Sequence, residues 1–250
     1  MKLKGKAAII TGAGQGIGLG IARAYAEEGA NLSLNIYGKN PEEVDSIITE
    51  LKNYNVDVIV SEEDITKEST VKEMVDKTIE RYGRIDILVN NAGIITESLV
   101  HDMPVEMWDQ MIDIDLKSVF LMTKYAVPHM IEQKSGRIIS TSSQLGQKGA
   151  VKMSHYAAAK AGVIGFTKSI ALELGQYGIT ANCIAPGPTD TELFAGLSES
   201  FRTSKKAELV IPRFARVDEV APTAVFLASD PEGNVYTGQT LGPNSGDVML

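Results

Sequence analysis

Short apolar runs alternate along the chain with longer amphipathic or small-residue stretches, and this alternation constrains the fold more than any other feature. The candidate strands are Ala7–Thr11, Asn31–Ile36, Val56–Val60, Ile85–Asn90, Arg137–Thr141 and Thr180–Ile184. Helices are predicted near residues 17–28, 41–53, 67–82, 104–132, 155–175 and 217–229. A repeated strand–helix pattern of this kind predicts an α/β fold, a doubly wound parallel sheet with helices on both faces.

A single domain over residues 1–250 is predicted, because no linker, repeat or low-complexity tract interrupts the pattern. The least regular segment, 186–216, is predicted to form a substrate-binding lid within that domain. Pro128 lies inside the 104–132 stretch, where a proline removes a backbone donor. We therefore expect it to end or kink that helix.

The charge balance excludes several classes of partner. The chain has 24 Lys and Arg against 32 Asp and Glu, a formal net charge of −8. An acidic surface repels nucleic-acid phosphates and anionic headgroups, and the sequence has no basic patch to offset it, so we expect no nucleic acid and no membrane partner. Cys183 is the one cysteine and the three histidines are scattered, so no metal site is predicted. The short apolar stretch Ala7–Ile10 does not resemble a signal peptide, and a cytoplasmic location is expected.

A glycine-rich segment, Thr11 to Gly18, follows the first predicted strand and opens the first predicted helix. Gly12, Gly16 and Gly18 permit a tight turn and close approach of a pyrophosphate to the helix N-terminus. Their spacing is G-x-x-x-G-x-G, not G-x-G-x-x-G. The context favours dinucleotide binding over a simple packing turn.

The end of the second predicted strand bears on which dinucleotide binds. NAD enzymes of this architecture often carry an acidic residue there for the ribose 2′-hydroxyl. This strand instead ends in Ile36 and Tyr37, followed by Lys39. Lys39 would suit a 2′-phosphate, so NADP is slightly favoured over NAD. The competing interpretation is that Lys39 is an ordinary solvated loop charge.

Tyr156 and Lys160 are four residues apart and therefore share one face of a predicted helix. A cation close to a phenol favours the phenolate and makes it a better acid/base group near neutral pH. Ser143 follows the predicted strand Arg137–Thr141, at the strand end where open α/β sheets bind ligands. These three residues are predicted to be catalytic.

The chain resembles the short-chain dehydrogenase/reductase family over essentially its whole length, including its 3-oxoacyl-ACP reductase-like and polyol or alcohol dehydrogenase members. The matching motifs are Thr11-Gly-x-x-x-Gly-x-Gly18, Asp64 before Ile65-Thr66, Asn90-Asn91-Ala92-Gly93, Ser143, Tyr156-x-x-x-Lys160, and Pro186-Gly187 with Thr191. The resemblance implies a Rossmann-type sheet of about seven strands, an NAD(P) cofactor and hydride transfer to or from a carbonyl carbon.

Roles for individual residues follow from the same resemblance. Tyr156 would be the general acid/base, Ser143 would bind the reacting oxygen, and Lys160 would bind the nicotinamide ribose and lower the pKa of Tyr156. Asp64 would contact the adenine, Asn91 would support the central strand, and Thr191 would contact the nicotinamide amide. The predicted cofactor-binding residues are Gly12, Gln15, Gly16, Ile17, Gly18, Tyr37, Lys39, Asp64, Ile65, Asn91, Ala92, Gly93, Tyr156, Lys160, Pro186, Gly187, Thr189 and Thr191. The predicted substrate-binding residues are Ser143, Gln144, Lys152 and Tyr156.

Two departures from the family pattern stand out. Many members have a catalytic asparagine whose main-chain carbonyl helps to hold a water linked to the lysine, and this chain has Asp115 at that position. We expect Asp115 to keep this relay, with its carboxylate either facing solvent or adding a negative charge near Lys160. After Leu241 the chain also has Gly242-Pro243-Asn244-Ser245-Gly246-Asp247 where relatives often have Val-Asp-Gly-Gly, which puts any subunit contact of the tail in doubt.

The leading functional prediction is an NAD(P)-dependent oxidoreductase acting on a small ketone or secondary alcohol. The first alternative is a 3-oxoacyl-(acyl-carrier-protein or CoA) reductase, although Tyr177 stands where carrier-protein reductases often have a basic residue. An alternative of another class is a non-catalytic dinucleotide-binding regulatory protein, with Asp115 as the sign of lost catalysis. The resemblance also implies a homotetramer or homodimer.

Overall fold

Our computed structural model describes residues 1–192 and 199–249. Within them, seven strands form one sheet: β1 (Ala7–Ile10), β2 (Asn31–Asn35), β3 (Val58–Ser61), β4 (Ile87–Asn90), β5 (Gly136–Thr141), β6 (Ile179–Ile184) and β7 (Thr240–Leu241). The helices are α1 (Gly16–Glu27), α2 (Pro41–Lys52), α3 (Glu68–Tyr82), α4 (Val105–Ile112), α5 (Ser118–Gln133), α6 (Leu145–Lys148), α7 (Ser154–Leu174), α8 (Glu199–Glu208) and α9 (Val217–Ala228). A π-helical turn spans Asp113–Lys117, and a 3-10 turn spans Gly175–Tyr177.

The strands are all parallel, in the order β3-β2-β1-β4-β5-β6-β7. The chain moves outward from β1 to β3 and then continues on the other side of β1. This reversal opens a crevice at the carboxyl ends of β1 and β4, where such sheets bind ligands. The predicted doubly wound fold is confirmed.

Helices cover both faces of the sheet, and successive residues of a strand point alternately to the helices on one face and on the other. Ala8 and Ile10 of β1 belong to the apolar core beneath α1, α2 and α9. Ile9 points to the opposite face and packs with residues of α3, α5 and α7. Because both faces are covered, β1 is buried at every position, as expected for a central parallel strand.

The predicted helix over 104–132 is divided, but not at its proline. It is interrupted by the π-helical turn at Asp113–Lys117 and then continues through Pro128 to Gln133. The expectation that Pro128 ends the helix was wrong. Pro128 and Lys124, whose carbonyl would have accepted the missing hydrogen bond, are both exposed, so water can replace that bond. The buried neighbours Ala126 and Met130 keep the helix packed against the sheet.

The C-terminal tail folds back onto its own chain. The Asp247 side chain is 3% exposed, and its carboxylate accepts hydrogen bonds from the ammonium groups of Lys148 at 2.6 Å and Lys205 at 3.0 Å. Asn244 packs so closely that a Cβ on Gly187 would lie 2.7 Å from its Cα. The tail therefore joins α6, which follows Ser143, to α8 in the predicted lid. Residues 193–198 of that lid are outside the described residues, and the lid itself stays a prediction.

We expect Asp247→Asn to lower the free energy of unfolding by about 1.5–3 kcal/mol, because it weakens charged hydrogen bonds. Burial acts to raise the pKa of Asp247, but its two lysine partners outweigh that effect and lower it. A depressed carboxyl pKa stabilises the fold above the unfolded pKa, and that contribution is lost as the pH falls through the folded value. Urea unfolding at neutral and acid pH measures both effects.

The control is Glu232→Gln, which removes one charge from the more exposed Lys2–Glu232 pair. An exposed pair contributes at most about 1 kcal/mol. Equal losses in the two variants would contradict a structural role for Asp247.

Candidate active site

A cavity of about 590 Å³ lies at the carboxyl ends of the central strands. Its walls include the glycine loop after β1, Asn91-Ala92-Gly93 after β4, Ser142-Ser143 after β5 and Pro186-Gly187 after β6, together with residues that follow β2 and β3. Parallel strands bring these segments together at one edge of the sheet although they are far apart in the chain. The predicted site residues therefore meet in one cavity.

The glycine loop is shaped for close approach of a ligand. Gly12 and Gly16 adopt φ angles of +62° and +53°, which L side chains rarely do. The first turn of α1, after its N-cap residue Gln15, carries neither a side-chain cap nor an acidic residue. Its backbone N–H groups and the helix dipole therefore remain available to an anion such as a pyrophosphate.

All the predicted cofactor-binding residues line the cavity except Gly18. Gly18 lies behind the loop, where an added Cβ would be 2.2 Å from the Gly12 carbonyl oxygen and 2.5 Å from Asn91 Nδ2. The structure therefore makes Gly18 a packing residue of the loop and not part of its lining.

Asn91 connects the segment after β4 to the glycine loop after β1. Its Nδ2 donates to the carbonyl oxygens of Thr11 and Gly12, each at 3.2 Å, and its Oδ1 accepts from Thr141 Oγ1 at 3.2 Å. The Thr11 hydroxyl in turn accepts from the backbone N–H groups of Asn91 and Ala92. These bonds hold the ends of β1, β4 and β5 in a fixed relation.

One end of the cavity is lined by Tyr37, Lys39 and Asp64, which were predicted to bind the adenosine half of a dinucleotide. Tyr37 is largely exposed, and Lys39 Nζ forms an ion pair with Glu43 at 3.1 Å. Asp64 Oδ1 accepts hydrogen bonds from the backbone and hydroxyl of Thr66 at 2.9 and 2.7 Å. This end therefore offers one cation at the rim and one fixed carboxylate.

Ser143, Tyr156 and Lys160 meet at the other end. Lys160 Nζ lies 5.6 Å from the centroid of the Tyr156 ring, one helical turn away on α7. Ser143 Oγ donates to Gln144 Oε1 at 2.8 Å and accepts from the backbone N–H of Leu145 at 3.1 Å. Burial raises the pKa of Tyr156 and outweighs the opposing effect of Lys160. The phenol is therefore protonated at neutral pH and can donate a proton.

The sequence model of the short chain dehydrogenase family matches residues 6–201 of this chain. The chain belongs to that family. It is 40% identical to the 3-oxoacyl-(acyl-carrier-protein) reductase FabG of Thermotoga maritima over the whole length of both proteins. It is 39% identical to the protein of the same name from Staphylococcus aureus (strain Mu50), over 98% of each. The crystal structure of a short chain dehydrogenase from Burkholderia cenocepacia in complex with NADP matches 99% of both chains with a TM-score of 0.91 and 31% identity.

Membership of this family makes the chain an NAD(P)-dependent oxidoreductase, as predicted, and not the non-catalytic regulatory alternative. No helix among residues 1–192 and 199–249 is long and apolar enough to cross a membrane.

Asp115 of this short chain dehydrogenase lies beside Lys160. Its Oδ2 is 3.1 Å from Lys160 Nζ, and both side chains are buried. Of the two orientations that the sequence left open, the structure selects the one that places a negative charge next to the lysine. Two of the predicted substrate-binding residues differ in position: Gln144 lines the cavity, whereas Lys152 is exposed outside it.

Further residues of the cavity wall were not predicted from the sequence. Ile94, Ile95 and Leu145 form an apolar surface next to Tyr156. Ile94 and Leu145 each directly follow a predicted site residue, and Ile95 follows Ile94, so adjacency was the available signal. Thr141 contributes a carbonyl oxygen that accepts from Lys160 Nζ at 3.1 Å, and no sequence pattern indicates that bond.

Cys183 is buried away from this chemistry. Its Sγ lies 3.2 Å from Thr167 Oγ1, and burial raises the pKa of the thiol to about 11. It is therefore a protonated core residue and not a nucleophile.

Proposed function

We propose that this short chain dehydrogenase interconverts a small ketone and its secondary alcohol with NADP as cofactor. The observation that carries the proposal is the meeting of Ser143, Tyr156 and Lys160 at one end of a cavity whose other wall is the glycine loop. A phenol, a hydroxyl and an ammonium group at one point suit a reaction that builds charge on a carbonyl oxygen.

The cavity fits a dinucleotide on structural grounds. The glycine loop leaves no room for a side chain at Gly12, where a Cβ would lie 2.8 Å from Ala92 Cα. The uncapped start of α1 would hold the pyrophosphate, Asp64 the adenine, and Lys160 and Thr191 the nicotinamide half. Lys39 at the rim and the NADP bound by the Burkholderia relative support NADP over NAD.

When bound, the reduced nicotinamide supplies the hydride that reaches the carbonyl carbon. The hydroxyls of Ser143 and Tyr156 donate hydrogen bonds to the carbonyl oxygen as negative charge develops there. Tyr156 then transfers the proton of its Oη to that oxygen. The ammonium group of Lys160 stabilises the tyrosinate that remains. Oxidation of the alcohol uses the same groups in the reverse order.

Reduction of a 3-oxoacyl thioester is the second candidate. It is supported by the names of the Thermotoga and Staphylococcus relatives and by the apolar surface of Ile94, Ile95 and Leu145, which suits an acyl chain. Two features count against an acidic carrier protein as the bearer of the acyl substrate. The net charge of the chain is itself acidic, and Tyr177 stands where carrier-protein reductases often have a basic residue.

A homodimer or homotetramer and a cytoplasmic location also remain proposals. The exposed aromatic side chain of Phe120 on α5 and the exposed Leu172 on α7 support a subunit contact along these two helices. The reduced, buried Cys183 is consistent with the cytoplasm.

The proposal is tested by following the oxidation of NADPH and NADH over a panel of substrates. The panel contains small ketones, hydroxy ketones, acetoacetyl-CoA and an acetoacetyl carrier protein. We expect turnover with NADPH to exceed that with NADH, and the ratio of kcat/KM between free ketones and thioesters decides between the two candidates. A protein that binds NADPH but reduces no member of the panel would contradict both.

A further inference from the structure

Asp115 and Lys160 form an ion pair inside the protein. The Asp115 side chain is fully buried and that of Lys160 is 4% exposed, with 3.1 Å between Oδ2 and Nζ. The pair joins the π-helical turn Asp113–Lys117 to α7 across 45 residues of sequence. Two charges removed from water in this way are retained only where their mutual geometry is good.

Neighbouring groups hold both partners in place. Asp115 Oδ1 accepts a hydrogen bond from the backbone N–H of Ile94 at 2.9 Å, and Lys160 Nζ donates to the Thr141 carbonyl at 3.1 Å. A Cβ on Gly93 would lie 2.7 Å from Asp115 Oδ2, so the backbone after β4 closes over the carboxylate. The carboxylate is therefore fixed beside the ammonium group and not free to turn to solvent.

The other titratable groups around Tyr156 do not compensate Lys160. His155 on α7 is buried, its Nε2 lies 2.7 Å from Thr96 Oγ1, and burial lowers its pKa, so it is neutral. Cys183 on β6 is a protonated thiol. The acidic residues on the remaining adjacent segments are either exposed or paired elsewhere: Glu97, Glu106, Asp109 and Glu192 are exposed, and Asp113 pairs with Lys117.

We propose that Asp115 is a positioning residue that neutralises Lys160 electrostatically, so that Tyr156 stays protonated to higher pH and the site favours donation of a proton to a ketone. The inference rests on the proposed function of Tyr156. An isolated ammonium group 5.6 Å from the phenol ring would strongly favour the tyrosinate. With the carboxylate in contact, Tyr156 faces a nearly neutral pair. The raised pKa of Tyr156, due first to burial and partly to Asp115, agrees with this arrangement.

Asp115→Asn is the matched variant, because an asparagine Oδ1 still accepts from the Ile94 N–H while the charge is lost. In the variant, tyrosinate becomes the counter-ion of Lys160, so it should form at lower pH. Coulomb's law at the effective dielectric of protein sites gives a shift on the order of one pH unit. The probe is the ultraviolet absorbance of tyrosinate, titrated with and without saturating NADP. Subtracting the same titration of Tyr156→Phe, made in each background, isolates Tyr156 from the other seven tyrosines.

A second variant tests the cancellation of charge directly. Asp115→Asn combined with Lys160→Met removes both charges, and its Tyr156 midpoint should return close to that of the wild-type protein. Lys160→Met alone leaves the carboxylate and should raise the midpoint. If Asp115→Asn fails to fold, the double variant still tests the proposal. A Tyr156 midpoint about one pH unit above that of the wild-type protein would mean that Asp115 does not neutralise Lys160, and it would overturn the proposal.

The pH–rate profiles supply the functional readout. In Asp115→Asn, the alkaline limb for ketone reduction and the rising limb for alcohol oxidation should both move to lower pH by the shift seen in the titration. A purely structural role would lower kcat at every pH without moving either limb, and unmoved midpoints would refute the proposal. Should the wild-type protein turn over no ketone, the tyrosinate titration still reports on Asp115, so the two failures are distinguishable.

Discussion

Replacing Tyr156 with phenylalanine is expected to lower kcat by about 10²–10⁴-fold, the usual contribution of a positioned proton donor. The change removes one oxygen from a side chain that is 9% exposed and packed among Met111 and Ala159, so the fold should remain intact. The hydroxyl is the group that both stabilises the developing oxyanion and supplies the proton. Its loss therefore acts on the transition state and not on binding of the dinucleotide.

The measurement is steady-state reduction of the best substrate found in the panel, together with NADPH affinity from fluorescence. Tyr177→Phe is the matched control, because Tyr177 is partly exposed on the 3-10 turn after α7 and does not line the cavity. It should retain wild-type kcat. A Tyr156→Phe enzyme with most of its activity would show that another group donates the proton.

Gly18→Ala is expected to weaken cofactor binding although Gly18 does not line the cavity. Its Cβ would lie 2.2 Å from the Gly12 carbonyl oxygen and 2.5 Å from Asn91 Nδ2. The first contact is with backbone, so the glycine loop itself must move, and Asn91 loses its bonds to the carbonyls of Thr11 and Gly12, just after β1. We expect a loss of about 1–3 kcal/mol in the free energy of unfolding. Affinity for NADPH should fall at least about ten-fold, which 1.4 kcal/mol of distortion produces.

Thermal or urea unfolding and titration with NADPH measure the two effects. Gly175→Ala is the control, because Gly175 has a helical φ of −55° and an added Cβ would meet no atom within 4 Å. That variant should be neutral or slightly stabilising. Unchanged NADPH affinity in Gly18→Ala would show that the loop tolerates displacement and is not a rigid cradle.

The differences between sequence and structure lie where distant segments meet. The helical break was expected at Pro128, because the residue type suggests it, but it occurs at Asp113–Lys117. Lys152 lies only a few residues after Ser143 and Gln144 in sequence, yet it is outside the cavity. Its backbone is left-handed, and its carbonyl oxygen accepts a hydrogen bond from the backbone N–H of Ser98. In each case the outcome depends on which groups are buried and which face water.

The parts predicted well are those in which covalent spacing determines geometry. Four residues on a helix place Tyr156 beside Lys160 in any context. The strand–helix alternation places the ends of β1, β4, β5 and β6 at one edge of the sheet, so the glycine loop and Ser143 had to meet there. The sequence by itself therefore determined the fold class, the family and most of the cavity lining.

Only the tertiary structure decided the electrostatic environment of Lys160 and Tyr156. Nothing in the residues around Asp115 indicates whether its carboxylate faces solvent or Lys160, because the two are 45 positions apart. The π-helical turn, the close approach of Gly93 and the Ile94 N–H together direct it inward. The effect of a charge on its neighbours depends on distance and on exclusion of water, and these follow from packing in three dimensions.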